Sequence, residues 1–196
     1  MPERCGWCGS DPLYVAYHDC EWGVPVRDDK TLFEFLILEG AQAGLAWITV
    51  LRKREGYRKA FDGFDARRMA GYSDRRLERI LGDPQVIRNR LKVYGARQNA
   101  RAFLQIQEDL GSFADYLWGF AENKPIRNSW LSMSDVPAST PLSDIISKDM
   151  KQRGFTFVGT TIIYAYMQAT GMVNDHIMPC FRHRECNALA NLHETL

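Results

Sequence analysis

Apolar positions along the chain fall into blocks with helical spacing, separated by short polar stretches that carry glycine or proline. Asp28 and Asp29 precede residues 31–39, where Leu32, Phe33, Phe35, Leu36 and Leu38 cover much of a helix circumference and predict a buried helix. A second helix is expected over about residues 45–55. Ser73 is placed to cap a short helix bearing Leu77, Ile80 and Leu81. Gly82, Asp83 and Pro84 then turn the chain into a long helical stretch over about residues 86–107, and Ser112 caps residues 113–120. Residues 123–138, with Pro125, Pro137 and several serines, read as a connecting segment. Thr140 and Pro141 start a helix that ends near Gly154. The nearly unbroken apolar run over residues 160–170, closed by Gly171, predicts a central core helix. There is no internal repeat and no alternating strand pattern, so the expected class is all-α, with at most a short pairing near the termini.

Within this pattern the stretch LILEGAQAGLAW, residues 36–47, is unusual. It places a carboxylate, Glu39, in the most apolar run and follows it with Gly40, Ala41, Ala43 and Gly44. A charge in such surroundings faces water, is neutralised or has a chemical task. Small residues after it let something approach closely. The ordinary alternative is a buried carboxylate held by an arginine or by backbone amides.

Length and composition narrow the class. The 196 residues suit one sizeable domain or two small lobes sharing a core, and 45% hydrophobic with 25% charged residues is a soluble globular composition. The longest apolar run is broken by Glu34 and Glu39, so no membrane span is expected. The amino terminus lacks a basic-then-apolar leader, and a cytoplasmic protein is expected. The net charge of +1 conceals an uneven distribution: residues 52–101 hold 15 Lys and Arg against six Asp and Glu. Solvated helix faces and a basic surface for phosphates both fit that excess.

Five cysteines, an odd number, point to free thiols or metal ligands rather than a disulfide scaffold. Cys5 and His18 near one end, with His176 and Cys180 near the other, would complete a closed tetrahedral site that clips the ends together. Cys5, Cys8, His18 and Cys20 would instead make a local site, and His183 and Cys186 add a further option. Spacing leaves these open, alongside plain thiols and surface histidines.

Longer stretches carry a family likeness. CGW at 5–7, DPLYVAYHDCEWGVP at 11–25, LEGAQAGLAWITVLRKRE at 38–55, RGFTFVGTTIIYAYMQATGMVNDH at 153–176 and Cys180 resemble the bacterial 3-methyladenine DNA glycosylase I family. The likeness spans nearly the whole chain to Cys180; residues 183–196 do not share it. It implies a helix-hairpin-helix DNA glycosylase fold in a single domain, residues 1–182, with residues 183–196 as a tail. It also implies a structural zinc on Cys5, His18, His176 and Cys180, so that Cys8 and Cys20 are not ligands. Four protein ligands leave no open position for a zinc-bound hydroxide.

The activity the likeness implies is hydrolytic release of 3-methyladenine from double-stranded alkylated DNA, with free base and an abasic site as products. The base-contacting glutamate falls on Glu39, with Tyr17 and Trp47 as further contacts and Tyr14 and Trp22 as walls. A methylated, cationic ring suits an anion and electron-rich aromatic faces. Because the base must leave the duplex, the turn bearing Gln42, Gly44 and Leu45 is expected to enter the gap. Arg88, Arg90 and Lys92, in a hairpin around residues 86–92, are expected to hold phosphates, although that segment lacks glycine between Gly82 and Gly95. No catalytic aspartate and no Schiff-base lysine can be placed, so a monofunctional enzyme acting as a monomer is expected, with Glu39 assisting the cationic transition state.

Overall fold

A computed structural model describes residues 2–193. Helix formation follows local capping closely. Asp11 accepts from the amides of Leu13 and Tyr14, and Pro12 opens α1, Pro12–Cys20. Asp28 accepts from the Thr31 amide at the start of α2, Asp29–Gln42. After α2 come two short helices, α3 (Trp47–Leu51) and α4 (Arg54–Ala60), then α5, Ala66–Ala70. Ser73 caps α6, Asp74–Leu81, and Asn89 caps the long α7, Arg90–Leu110. Ser112 caps α8, Phe113–Gly119. Thr140 and Pro141 open α9, Pro141–Gln152, and α10 (Thr160–Ala169) and α11 (Phe181–His193) complete the helices. Strands β1 (Ile126–Arg127) and β2 (Val173–Asn174) pair in parallel, with Ile126 opposite Val173.

α2 is the hub. Every residue from Leu32 to Ala41 is buried, and the helix packs against α3, α7, α8 and α10. Its first residue also serves a neighbour: the Asp29 carboxylate accepts from the amides of Phe113 and Ala114 at 3.0 and 2.8 Å, capping α8 from a distance. The Tyr166 hydroxyl of α10 donates to the Leu32 carbonyl at 3.0 Å. The two ends of the chain meet, since the Phe181 amide donates to the Glu3 carbonyl at 3.1 Å. No helix among the described residues is long and apolar enough to cross a membrane.

Three sequence expectations need correction. The helix expected over 45–55 is two helices that start later. Gly44 takes φ +78 and Ala46 is extended, so Leu45 lies outside α3, and the chain breaks again around Lys53. The long helix begins at Arg90 rather than near residue 86, because the Asn89 side chain accepts from the Lys92 amide and fixes the start there. The strand pairing joins the connecting segment to the turn after α10, away from the termini.

Gly44 makes a clean test of backbone conformation. Its φ lies in the left-handed region, yet a Cβ there would meet nothing within 4 Å. Gly44→Ala is therefore expected to cost only the conformational term, about 1 kcal/mol, or a melting temperature about 3 °C lower. Gly44→Asn should recover part of it, because asparagine tolerates that region. Thermal denaturation of the three proteins checks this.

Candidate functional site

The site begins with spacing on α1. Tyr14, Tyr17 and His18 lie three and four residues apart and so share one face of that helix. Tyr14 and Tyr17 face a cavity of about 260 Å³ that Trp7, Trp22, Glu39, Gln42 and Trp47 also line. The rings touch one another: Trp7 lies 5.0 Å from both Tyr14 and Trp22, and Tyr17 lies 5.4 Å from Trp47. Met133, Ala165 and Gln168 complete the lining.

Two carboxylates of α2 are buried, and their surroundings differ. Glu34 is paired with Arg54 at 2.5 Å and with Arg58 at 2.7 Å. Glu39 is 3% exposed and its Oε2 has no hydrogen-bond partner among the described residues. Burial without compensation pushes its carboxyl up from the ordinary 4.5 to about 8. The indole Nε1 atoms of Trp7 and Trp47 are likewise buried and unpartnered. Buried polar groups are nearly always satisfied, so an unpaired acceptor and two unpaired donors around one cavity mark a place built to receive something polar.

His18, beside Tyr17, turns to a second centre. The ligand atoms of Cys5, His18, His176 and Cys180 all lie within 4.8 Å of one another and all four residues are buried. Cys180 Sγ is 3.4 Å from His18 Nε2 and 3.5 Å from His176 Nδ1, and Cys5 Sγ is 3.5 Å from His176 Nδ1. A tetrahedral ion with sulfur at about 2.3 Å and nitrogen at about 2.0 Å has edges of about 3.5 Å, so the four atoms can hold a metal ion.

The outer nitrogens are oriented to match. His18 Nδ1 meets Asp19 at 2.7 Å, Arg4 grips Asp19 at 2.7 Å, and His176 Nε2 meets the Trp22 carbonyl at 2.9 Å. The Cys180 thiol is pulled well below its ordinary value, chiefly by the hydrogen bond from the Cys5 thiol. The end-to-end set is thus the one assembled. Cys20 is exposed, Cys8 donates to the Cys5 carbonyl, His183 meets the Asn128 carbonyl and Cys186 is buried.

The cavity and the cluster share walls. Trp22 lines the cavity with its ring and holds His176 through its carbonyl. Asp175, next to His176, accepts from Asn128, Trp130, Tyr164 and Gln168, and the last of these lines the cavity. An acid beside each histidine, Asp19 and Asp175, was a signal available in the sequence. Gln168 falls one helical turn after Ala165 on α10, and nothing in the sequence singled out Met133.

Gln42, which lines the cavity, ends α2, and Leu45 is 40% exposed beyond Gly44. The basic residues of the α6–α7 turn differ in engagement. Arg88 is exposed, Arg90 pairs with Glu78 and lies over the Tyr94 ring, and Lys92 turns inward to the Ala41 and Ala43 carbonyls.

Comparison with known proteins agrees with this geometry. A family model described as methyladenine glycosylase matches residues 7–183. The DNA-3-methyladenine glycosylase 1 of Escherichia coli (strain K12) is 51% identical over 178 residues, covering 91% of this chain and 95% of that protein. A crystal structure of 3-methyladenine DNA glycosylase I superposes with a TM-score of 0.90 at 51% identity, covering 91% of this chain and 98% of that one. The 3-methyladenine DNA glycosylase I of Staphylococcus aureus, solved to explain 3-methyladenine recognition, superposes with a TM-score of 0.89 at 33% identity, covering 91% and 95%. With a family model matching residues 7–183 and a curated relative 51% identical over 91% of the chain, the chain belongs to the methyladenine glycosylase family.

Proposed function

We propose that this chain is a monofunctional DNA glycosylase that hydrolyses the N-glycosidic bond of 3-methyladenine in alkylated double-stranded DNA. Free base and an abasic site are the products. The observation that carries the reading is the unpaired Glu39 carboxylate among aromatic rings. Methylation at N3 gives the ring a positive charge, which makes the base a good leaving group. Discrimination from normal adenine is then the larger task. Glu39 meets it by attracting the cation and accepting from its amino edge, with Trp47, Tyr17, Tyr14 and Trp22 as the rings around it. An unmodified adenine offers no charge to offset ionising a buried carboxylate.

The remaining roles follow the same logic. Leu45 is the apolar wedge and Gln42 the polar probe in the gap left by the extruded base, with Gly44 supplying the turn. Helices α6 and α7 and the turn between them act as the helix-hairpin-helix, where Arg88 and Arg90 meet phosphates. Cys5, His18, His176 and Cys180 hold zinc, to which two thiolates and two imidazoles are well suited. When bound, it supplies closure of the fold rather than reaction chemistry. Residues 1–182 work as one domain, and the protein acts as a monomer on DNA in the cytoplasm.

Chromatography of the supernatant after incubation with methylated duplex DNA tests the reading. Free 3-methyladenine should accumulate, with the strand uncut until the abasic sites are cleaved by alkali. Damage-selective binding without any released base would overturn the enzyme assignment.

A further inference from the structure

Lys92 is one turn into α7, yet its ammonium lies against the end of a different helix. Nζ donates to the Ala41 carbonyl at 2.8 Å and to the Ala43 carbonyl at 2.6 Å. These belong to the last turn and cap of α2, where helical carbonyls lack partners and a cation is favoured. The ammonium is half-buried, and desolvation lowers its pKa from the usual lysine range. The small cavity beside it, about 10 Å³, has no room for a ligand. The charge is therefore committed to backbone.

The two bonded carbonyls flank Gln42 and precede Gly44 and Leu45. Glu39 lies two residues before the first of them. At the other end of the same short stretch, Asn89 caps α7 through the Lys92 amide at 3.1 Å, and Arg88 and Arg90 flank Asn89. One residue thus ties the start of the basic hairpin to the turn beside Gln42.

We propose that Lys92 is a positioning residue that fixes the Gln42–Leu45 turn relative to the hairpin, so that docking on the DNA backbone places the probe at the lesion. The inference rests on the glycosylase reading above and deepens it. It assigns Lys92 a role distinct from phosphate binding.

The test uses the whole protein, wild type beside Lys92→Met and Lys92→Arg. Three measurements are made: single-turnover release of 3-methyladenine from methylated duplex DNA, affinity for free 3-methyladenine by tryptophan fluorescence, and the salt dependence of duplex binding. Lys92→Met should release base about tenfold more slowly, because a displaced probe loses alignment with the lesion. Its affinity for the free base and its salt slope should match wild type, and Lys92→Arg should restore most of the rate by donating to the same two carbonyls. An unchanged release rate overturns the proposal. So does a salt slope shallower by about 0.9, the signature of one lost phosphate contact. A parallel loss of free-base affinity would reduce Lys92 to general support of the cavity. Wild-type protein that releases no base would instead refute the glycosylase reading, which keeps the two failures apart.

Discussion

Glu39→Gln should slow 3-methyladenine release roughly 10–100-fold at about pH 8 and above, where the wild-type carboxyl is ionised, while making the free protein more stable. The two effects have one cause. In the free protein the carboxyl is buried, its Oε2 has no partner among the described residues, and it stands at about 8 rather than 4.5, so the folded chain keeps a proton that the unfolded chain gives up. Between those two values the folded state binds more protons than the unfolded state, and stability falls as pH rises through that window. A neutral amide of the same shape has no such dependence. The melting temperature of Glu39→Gln relative to wild type should therefore climb from pH 5 to pH 8 and then level off.

Release should show the mirror image. A cationic base is drawn to the ionised carboxylate, so wild-type kcat/KM should rise with pH towards about 8 as Glu39 loses its proton in the free enzyme. The amide retains shape and some hydrogen bonding but loses the charge-assisted contact, worth about 1.5–3 kcal/mol, or roughly 10–100-fold in rate. A Glu39→Gln protein with wild-type release, or with the wild-type pH profile, would remove Glu39 from the site.

The second large effect concerns the Cys/His cluster. On the zinc reading proposed above, chelation, or replacing Cys180 with alanine, should lower the melting temperature by about 10 °C. A metal on the cluster would close a loop that runs from Cys5 to Cys180, and clipping a loop of that size is worth on the order of 5 kcal/mol. For a chain of this length each kcal/mol moves the midpoint by roughly 2–4 °C. Loss of the clip should also reach the cavity, because His176 holds the Trp22 carbonyl and Trp22 is one of its walls. Free-base affinity should fall with the melting temperature, and restored metal should recover both. A Cys180→Ala protein that melts like wild type but releases no base would turn the centre from a structural into a catalytic one.

Helix periodicity carries most of the fold, because the caps lie in the sequence beside the helices they start: Ser73, Ser112 and Thr140 cap as expected, and of the two aspartates before α2 it is Asp28 that caps. Helix α7 was misplaced because the cap that sets its start, Asn89, sits inside a basic stretch with no turn glycine. Glu39 stands out by its position, but nothing in the residue pattern separates it from Glu34. What separates them is tertiary: Arg54 and Arg58 come from α4 to meet Glu34, and among the described residues no cation pairs with Glu39. Lys92 shows the limit from the other side. Its neighbours Arg88 and Arg90 made it look like one more phosphate ligand, while its partners lie about 50 residues earlier in the chain. Met133 is illegible in the sequence, since the chain pairing nearest its segment is only two residues long.

The meeting of the chain's two ends has a consequence for how the protein is made. Tyr17, Trp22, Glu39 and Trp47 emerge early in synthesis, and His176 and Cys180 are among the last described residues to be added. At about 10 residues per second, the early half of the site waits on the order of ten seconds for the late half. Over that interval Cys5 and His18 form half a metal centre, and the Trp22 carbonyl has no histidine to hold it. A nascent chain therefore cannot present the finished cavity. Assembly of the Cys/His cluster waits for the end of synthesis, and a chain arrested before residue 176 cannot assemble the finished site.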